Sequence, residues 1–276
     1  MPELPEVETI AEGLRRSYIL HETILHAEVF WPRSLDAAPE EFSKKLQGRQ
    51  ITKISRQGKW LLWNLESLFL LVHLRMTGKF SIHGTPNILP HERIRLIFSN
   101  KRILSFIDPR KFGRWHLTKN PMDRLKKLGP DPLTSAFSLE FLTMQLRKKS
   151  QTIKAFLLDQ CNIAGLGNIY ADEVLFASKI HPKRCSHTLS PNEIHLLFLS
   201  IKDILNQAVA NKGTSLGKGR SNFMNIGDRF GTHQNFLQVY GKQGKPCPRC
   251  LAAIEKIVIC SRGTHFCANC QQETFA

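Results

Sequence analysis

Four cysteines near the end of the chain are the feature that most restricts its fold. They form two CxxC pairs separated by sixteen residues, namely Cys247 with Cys250 and Cys267 with Cys270. Each pair can chelate one edge of a tetrahedron, and four thiolates fill the coordination sphere of one Zn²⁺ ion, which predicts a single structural zinc site. A disulfide pair or free thiols would account less well for the doubled spacing. The runs IEKIVI and THF between the pairs favour a β-hairpin that needs its metal in order to fold.

Two residues of the expected hairpin carry predictions of their own. We expect Cys260 to behave as a small apolar residue rather than as a further ligand. We expect Arg262 and Gly263 to lie at the hairpin turn, where the guanidinium can reach a phosphate or a groove. A zinc ribbon alone does not establish DNA binding, since many such modules bind proteins.

Before this module, the chain changes from a β pattern to a helical pattern. Apolar residues recur at helical spacing over 4–18, and the short apolar runs that follow favour a sandwich or a barrel. Strands are expected at 24–30, 51–55, 60–65, 69–74, 94–98, 103–107 and 115–117. The Gly- and Pro-containing segment 128–133 is the expected linker. Helices are expected at about 138–148, 152–160, 167–178 and 190–211, and a long mobile loop at 212–236.

Charge narrows the class of partner. The 276 residues carry a formal net charge of +16, with a pI of about 9.8, which favours a polyanion: nucleic acid first, and an anionic membrane surface second. We set the membrane aside because no basic amphipathic helix is evident and no apolar run is long enough to span a bilayer. The first residues resemble no secretory signal, and the cysteines suit a reducing compartment. We therefore expect a soluble cytoplasmic protein, associated with the nucleoid of a bacterial-type cell.

The N-terminus offers a candidate nucleophile. Removal of Met1 would expose the secondary amine of Pro2, which can attack a sugar C1′ and form an iminium ion that supports elimination of a phosphate. The positive end of the following helix favours the unprotonated amine. Glu3 can transfer protons, and Glu6, one turn later, can orient the pair. Taken alone, these residues favour an ordinary helix start, because acidic residues are common there and catalytic prolines are rare.

Basic residues cluster around turns in both halves of the chain. Lys59 precedes a strand, while the segments HLRMTG (73–78) and DPRKFG (108–113) each combine cations with an apolar residue. An apolar wedge beside an arginine suits a protein that kinks DNA. In the helical half, the run RKK at 147–149 precedes Lys154, and a glycine-rich turn at 164–167 opens a helix, as in phosphate-binding sites. Solvated charge and core packing are the plain alternatives for each cluster.

Taken together, these motifs resemble the formamidopyrimidine-DNA glycosylase family along essentially the whole chain. The resemblance rests on MPELPEVET (1–9), HLRMTG, DPRKFG, LGPDPL (128–133), GLGNIYADE (165–173), VYG (239–241) and the four cysteines. It implies an α+β fold with an N-terminal helix plus β-sandwich, a helix–two-turn–helix domain and a four-cysteine zinc finger. The corresponding domains are 1–130, 131–237 and 238–276.

The resemblance also implies roles. Pro2 would form the Schiff base, Glu3 would move protons, Lys59 would assist elimination, and Arg262 would assist the second elimination. Met76, Arg110 and Phe112 would fill the space left by a flipped nucleotide. The further DNA contacts would come from His73, His91, Lys149, Lys154 and Asn168. The substrate would be double-stranded DNA carrying 8-oxoguanine or formamidopyrimidines, bound by a monomer.

Two departures concern the loop that closes over the flipped base in the family. Where the family usually has Gly-Gly-Thr-Thr, this chain has Lys212-Gly-Thr-Ser215, and the following loop lacks the usual glycine–aromatic spacing. Two other functions remain open at this point. One is an endonuclease VIII-like glycosylase for oxidised pyrimidines, which the start of the chain and Gln160 disfavour. The other is a non-catalytic zinc-ribbon DNA-binding protein.

Overall fold

The described residues, which in this computed structural model are 1–216, 223, 226 and 229–273, contain seven α-helices, ten strands and three short 3₁₀ helices. The helices are α1 Leu4–Arg16, α2 Pro39–Leu46, α3 Met122–Leu125, α4 Leu139–Arg147, α5 Ile153–Leu158, α6 Asn168–Ala177 and α7 Pro191–Ala210. The strands are β1 Ile24–Val29, β2 Lys53–Gln57, β3 Trp60–Leu65, β4 Leu68–His73, β5 Lys79–His83, β6 Glu92–Phe98, β7 Ile103–Ile107, β8 Arg114–Thr118, β9 Glu255–Ile259 and β10 Arg262–Phe266. Among the described residues, no helix is long and apolar enough to cross a membrane.

The chain folds into two units. The first comprises Met1–Lys126 and Asn211–Gln234, and the second comprises Lys127–Ala210 and Asn235–Ala276. The helical part and the cysteine-rich part therefore share one unit, and the segment after α7 belongs with the first. The division into three domains at 130 and 237 remains a prediction.

The first unit contains two antiparallel four-stranded sheets, with strand orders β1-β6-β7-β5 and β2-β3-β4-β8. Alternate residues of β3 are buried, as expected for a strand with one face on a core. Aromatic rings join the sheets: Phe80 of β5 contacts Trp63 of β3 and Trp115 of β8, with ring centroids 5.7 and 5.9 Å apart. The predicted α+β fold with a β-sandwich is confirmed.

Helix α1 forms where its sequence pattern predicts. Pro5 lies in its first turn, Val7, Ile10, Ala11 and Leu14 form a buried stripe, and the helix packs against β2 and β3. Glu8 fixes this packing, because its carboxylate bonds to Arg15 of the same helix at 2.7 Å and to Arg56 of β2 at 2.9 Å. Both arginines lower the pKa of Glu8 against the opposing effect of burial, which is the largest single influence. The start of the chain is thus held against the β2–β3 hairpin.

The second unit contains the helix–two-turn–helix element, formed by α5, α6 and the turns between them. Gln160 organises the turns: its amide donates to the carbonyl of Leu166 at 2.8 Å and its oxygen accepts from Gly165 N–H at 2.9 Å. Gly165 has a φ of +102°, which a side chain would disfavour. The segment 128–133, expected to be a linker, instead packs on these turns, because Gly129 N–H bonds to the carbonyl of Gln160. A Cβ at Gly129 would lie 2.4 Å from the carbonyl oxygen of Asn162.

Some elements differ from the prediction. Helix α2 and strand β5 were not expected. Helix α2 has only two buried residues and β5 has the alternating sequence KFSIH, so neither contains a continuous apolar run. Strand β2 begins at Lys53 rather than at 51, because Ile51 bonds instead to the segment after α1. The β9–β10 hairpin is confirmed, but its turn consists of Cys260 and Ser261, both with positive φ. Cys260 is exposed rather than packed, and Arg262 is the first residue of β10.

The expected mobile loop, 212–236, is described only in part. Residues 217–222, 224–225 and 227–228 lie outside the described residues. Where it is described, the two ends of the segment bond to each other: Thr232 N–H donates to Asn211, and His233 N–H donates to Gly213. The oxygen of Gln234 accepts from Ser215 N–H at 3.0 Å.

Candidate functional site

The N-terminal residues form a buried arrangement centred on Glu6. Pro2, Glu3 and Glu6 are all buried. One oxygen of the Glu6 carboxylate accepts a 2.7 Å hydrogen bond from Glu3 N–H, and the other accepts a 2.7 Å bond from Thr214 N–H. Gly213 permits this approach, since its φ is +78° and a Cβ there would lie 2.8 Å from the carboxylate. Glu6 therefore holds the residue after Pro2 and the segment after α7 in fixed positions.

Lys59 lies at the tip of the two-residue β2–β3 hairpin, where it is buried. Gly58 takes the first turn position with a φ of +56°, which is the usual place for glycine in a type II′ turn. The guanidinium of Arg56 donates to the Gly58 carbonyl at 3.0 Å while it also binds Glu8 of α1. The ammonium group of Lys59 is thus carried by a turn that is fixed to the N-terminal helix.

His73, at the end of β4, is not the cation that the sequence suggested. Burial, together with the positive charges of Arg75 and Lys59, lowers the pKa of His73 to about 3, so the ring is neutral at neutral pH. Its Nδ1 accepts a 3.0 Å hydrogen bond from Arg75 N–H, which places the ring proton on Nε2. Trp60 contacts the ring edge to face, with centroids 4.8 Å apart. The neutral ring presents one N–H donor in a fixed orientation.

Asp108 brings together the two turns that carry the expected wedge. Its buried carboxylate accepts hydrogen bonds from the Thr77 hydroxyl at 2.5 Å and from Gly113 N–H at 2.7 Å. Arg110 N–H bonds to Thr77 and to Asp108, both at 3.3 Å. Residue 76 is therefore held beside the turn 109–113. The sequence did not single out this role, although an aspartate that accepts N–H bonds from its own turn is a familiar Asx pattern.

The three expected wedge residues are all exposed on these turns. Met76 is 38% exposed and Phe112 is 46% exposed, and the guanidinium of Arg110 lies 5.0 Å from the Phe112 ring centroid. Glycines allow the turns to close over the core, since a Cβ at Gly78 or Gly113 would lie within 2.8 Å of the Phe106 ring. Two large apolar side chains are thus held in solvent beside a cation, as a base-stack wedge requires.

His91 lies in a loop that buried charges hold in place. The residue is exposed with a φ of +64°, and its carbonyl accepts from Asp108 N–H at 3.0 Å. The next residue, Glu92, is buried and forms two 2.8 Å bonds with Arg95. Arg95 also donates to the carbonyls of Pro86 and Asn87, both at 2.9 Å. The exposed imidazole therefore lies on a loop whose backbone carbonyls accept hydrogen bonds from a buried arginine.

The second unit holds the remaining expected DNA contacts. Lys149 and Arg262 are exposed, and Asn168 is partly exposed at the first position of α6. Lys154 is a correction: it is fully buried, and its Nζ lies 2.5 Å from Asp172 and 3.2 Å from the carbonyl of Asn168. An ammonium group without accessible surface does not reach a phosphate, so Lys154 is not a DNA contact in this structure.

The four cysteines converge as their spacing predicts. Their sulfur atoms all lie within 4.8 Å of one another, with separations of 3.9 Å for Cys247 and Cys270 and 3.4 Å for Cys250 and Cys267. A tetrahedral Zn²⁺ site with Zn–S bonds of about 2.3 Å requires sulfur separations of roughly 3.8 Å, so the cluster fits zinc. A hydrogen bond from Asn269 lowers the pKa of Cys250 to about 6, whereas burial raises that of Cys270 to about 12. The four sulfur atoms are thus close enough together to hold one metal ion.

Comparison with known proteins agrees with these observations. The N-terminal domain of formamidopyrimidine-DNA glycosylase matches residues 1–115, its H2TH domain matches 128–219, and a zinc finger found in FPG and IleRS matches 244–272. The formamidopyrimidine-DNA glycosylase of Protochlamydia amoebophila is 40% identical over 276 residues, covering 99% of this chain and all of the relative. The chain belongs to the formamidopyrimidine-DNA glycosylase family.

Other members of the family give the same result. The enzyme of Oceanobacillus iheyensis is 41% identical over 280 residues, with 98% of each chain covered. A mutant Lactococcus lactis FPG, solved with DNA containing Fapy-dG, superimposes with a TM-score of 0.91 at 40% identity, covering 99% of this chain and all of the other. The Lactococcus lactis Fpg complex with DNA containing an abasic site gives a TM-score of 0.90 at 40% identity, covering 98% and 100%.

Sequence reasoning missed two buried carboxylates in the second unit. Asp172 binds Lys154 and His265, and Glu173 accepts backbone N–H bonds from residues 238, 239 and 240 at 2.7, 2.9 and 2.8 Å. Burial raises the pKa of Glu173 against the effect of these hydrogen bonds. A signal was present, because two acids inside the apolar helix NIYADEVLFA must be either exposed or fully partnered.

Proposed function

We propose that this protein excises oxidised purines, such as 8-oxoguanine and formamidopyrimidines, from duplex DNA and then cleaves the abasic site. The observation that carries the proposal is the buried Pro2, Glu3 and Glu6 arrangement in a member of this family. Relatives of the same length bear the name formamidopyrimidine-DNA glycosylase, and one solved relative is bound to DNA containing Fapy-dG. The function therefore rests on both the local chemistry and the whole-chain similarity.

The first chemical step would be attack by the amine of Pro2. Removal of Met1, which the small residue Pro2 permits, would free the secondary amine just before α1. The amine attacks C1′ of the damaged nucleotide, the C1′–N bond breaks, and the base leaves with a proton. The C1′–O4′ bond then breaks and Glu3 protonates O4′. A cationic iminium remains between Pro2 and C1′.

Elimination would follow from the iminium. Loss of the C2′ proton expels the 3′ phosphate, and a second elimination expels the 5′ phosphate, after which water hydrolyses the link to Pro2. We assign Lys59 to assistance of these steps and Arg262 to the second elimination. Zinc, when bound by the four cysteines, holds the fold of the hairpin that carries Arg262.

DNA binding would use the exposed residues of both units. Met76, Arg110 and Phe112 would enter the space left by the flipped nucleotide, and His91, Lys149 and Asn168 would contact the DNA. The neutral His73 could donate its Nε2–H to a phosphate oxygen. We also propose that the protein works as a monomer in the cytoplasm, where the metal-binding thiols stay reduced.

Borohydride trapping provides the test. The mass of the purified protein is first measured by mass spectrometry to establish loss of Met1. The protein is then treated with borohydride in the presence of a duplex that carries one 8-oxoguanine opposite cytosine. The expected result is a covalent adduct that maps to Pro2, with no adduct on undamaged duplex. If Pro2 is free and neither this lesion nor an abasic site gives an adduct, the non-catalytic zinc-ribbon function takes its place. Faster trapping on an oxidised pyrimidine would favour the endonuclease VIII-like function.

A further inference from the structure

Among the described residues, one apolar cluster joins the zinc module to α6. Its buried members are Phe176, which α6 contributes, and Val239, Cys247, Ile254 and Cys267. Two of these five residues are cysteines of the metal site, and Phe266 of β10 is buried beside the His181 ring. Polar contacts to α6 add to the orientation of the module.

The carboxylate of Asp172 on α6 makes three polar contacts, two of them to His265 of the module and one to Lys154 of α5. The side chain has no exposed surface. One oxygen lies 2.5 Å from Nζ of Lys154 on α5, and the other accepts from the backbone N–H of His265 at 2.9 Å and pairs with its Nδ1 at 3.1 Å. The carboxylate thus joins α5, α6 and β10. A fully buried lysine and aspartate stabilise each other only while both are present.

The same network reaches the two residues expected to contact a phosphate. Nζ of Lys154 also donates to the backbone carbonyl of Asn168 at 3.2 Å, and Nδ2 of Asn168 donates to the carbonyl of Gly263 at 2.8 Å. Gly263 directly follows Arg262 on β10. Oδ1 of Asn168 is buried and has no hydrogen-bond partner among the described residues. The start of α6 and the start of β10 are therefore in direct contact. Asp172 bonds to a residue on each side of this contact, namely Lys154, which holds Asn168, and His265 of β10.

We propose that Asp172 is a positioning residue that holds Asn168 and Arg262 as one phosphate-contacting unit. Through Lys154 it fixes the first turn of α6, and through His265 it fixes the strand on which Arg262 lies three positions earlier. The proposal rests on the function proposed above, because it assigns a role toward a DNA phosphate and toward the second elimination. Asp172 itself contacts neither the phosphate nor the reacting sugar.

The test compares Asp172→Asn with Asp203→Asn, an equal change of charge at an exposed position of α7. Zinc-loaded proteins are titrated with a duplex containing a tetrahydrofuran abasic analogue over a range of salt concentrations. Wild type and Asp203→Asn should share one slope of log K against log salt. Asp172→Asn should bind about tenfold more weakly, the effect of losing one charge-assisted hydrogen bond. Its slope should be shallower by about 0.9 for each phosphate that the variant no longer binds.

A second readout separates positioning from general stability. On a natural abasic site, Asp172→Asn should give more β-elimination product relative to β,δ-elimination product, while borohydride trapping at Pro2 proceeds as in wild type. Unchanged slope and product ratio would overturn the proposal. If wild type does not bind the analogue at all, it is the proposed function that fails.

A further variant keeps the test decisive if Asp172→Asn loses its zinc. The double variant Lys154→Met with Asp172→Asn removes both buried charges and leaves no ammonium uncompensated. The same shallower slope and the same product shift are expected from it. Loss of zinc from the double variant as well would mean that Asp172 only maintains the fold, and the proposal would be wrong.

Discussion

The carboxylate of Glu6 lies 2.7 Å from the backbone nitrogen of Thr214, although 208 positions separate the two residues in the chain. Its other oxygen holds the N–H of Glu3, so one buried side chain fixes both the start of α1 and the segment after α7. Replacement by glutamine would turn one of these two oxygens into an NH₂ group that faces an N–H donor. The cost follows from leaving a buried donor unpaired.

We therefore expect Glu6→Gln to lower the free energy of unfolding by about 1–3 kcal/mol. Borohydride trapping on 8-oxoguanine should slow by a larger factor than DNA binding weakens, since the residue after Pro2 loses its anchor. Glu12→Gln is the matched control on the same helix, because Glu12 bonds to the partly exposed Lys212 rather than to backbone N–H groups. Equal effects of the two substitutions would contradict the role assigned to Glu6.

His73 should make stability depend on pH. Its pKa is about 3 in the folded protein, against an ordinary value of 6.5, so between these values the unfolded chain binds a proton that the folded chain does not. The stabilising contribution is complete above pH 6.5 and is lost as the pH falls toward 3, by at most about 1.4 kcal/mol per pH unit.

Urea unfolding of wild type and His73→Asn at several pH values in this window measures that contribution. Asparagine keeps an oxygen that can accept the Arg75 N–H bond but cannot be protonated in this range. The variant should therefore show a flatter loss of stability below pH 6.5. His26→Asn, a change at an exposed position of β1, serves as the control and should leave the wild-type pH dependence in place. A wild-type curve parallel to that of His73→Asn would show that the buried ring does not resist protonation.

Loss of zinc should disrupt the folding of the second unit, which contains the four cysteines, and leave the folding of the first unit unchanged. All four tryptophans of the chain, Trp31, Trp60, Trp63 and Trp115, lie in the first unit, so their fluorescence reports on that unit alone. Chelation of zinc, or Cys270→Ser, should abolish DNA binding and change the far-UV circular dichroism while the fluorescence stays native-like. Cys260→Ser should retain one zinc per chain, because Cys260 is exposed and lies outside the sulfur cluster. Loss of the fluorescence signal on chelation would show that the first unit depends on the metal.

The sequence predicted the features that arise from local pattern. The CxxC pairs, the stripe of α1 and the strands with continuous apolar runs are confirmed because spacing alone determines them. It could not predict the ionisation of His73 or the burial of Lys154, because each depends on groups that only the fold brings together. The role of Asp108 likewise depends on Thr77, which lies 31 positions away. Long-range neighbours of a charged residue decide whether it meets a ligand or stabilises the fold.

Lys212 provides a last test, because its backbone adopts the left-handed conformation that favours glycine. Its φ is +59°, a conformation that costs a residue with a side chain about 1–2 kcal/mol relative to glycine. Its Nζ offsets part of this cost through a 2.8 Å bond to Glu12, and this bond is the main reason that the pKa of Glu12 is lowered. The lysine side chain is 44% exposed, so the pair is worth at most about 1 kcal/mol.

Two substitutions at this position should therefore differ in effect. Lys212→Gly removes both the backbone strain and the ion pair, so its midpoint of thermal unfolding should stay close to that of wild type. Lys212→Ala removes the pair but keeps the strain, and should be the less stable of the two by about 1 kcal/mol. High salt should narrow the gap between wild type and Lys212→Ala, because salt screens an exposed pair. Equal stability of the two variants would mean that the segment relaxes to a negative φ when the ion pair is absent.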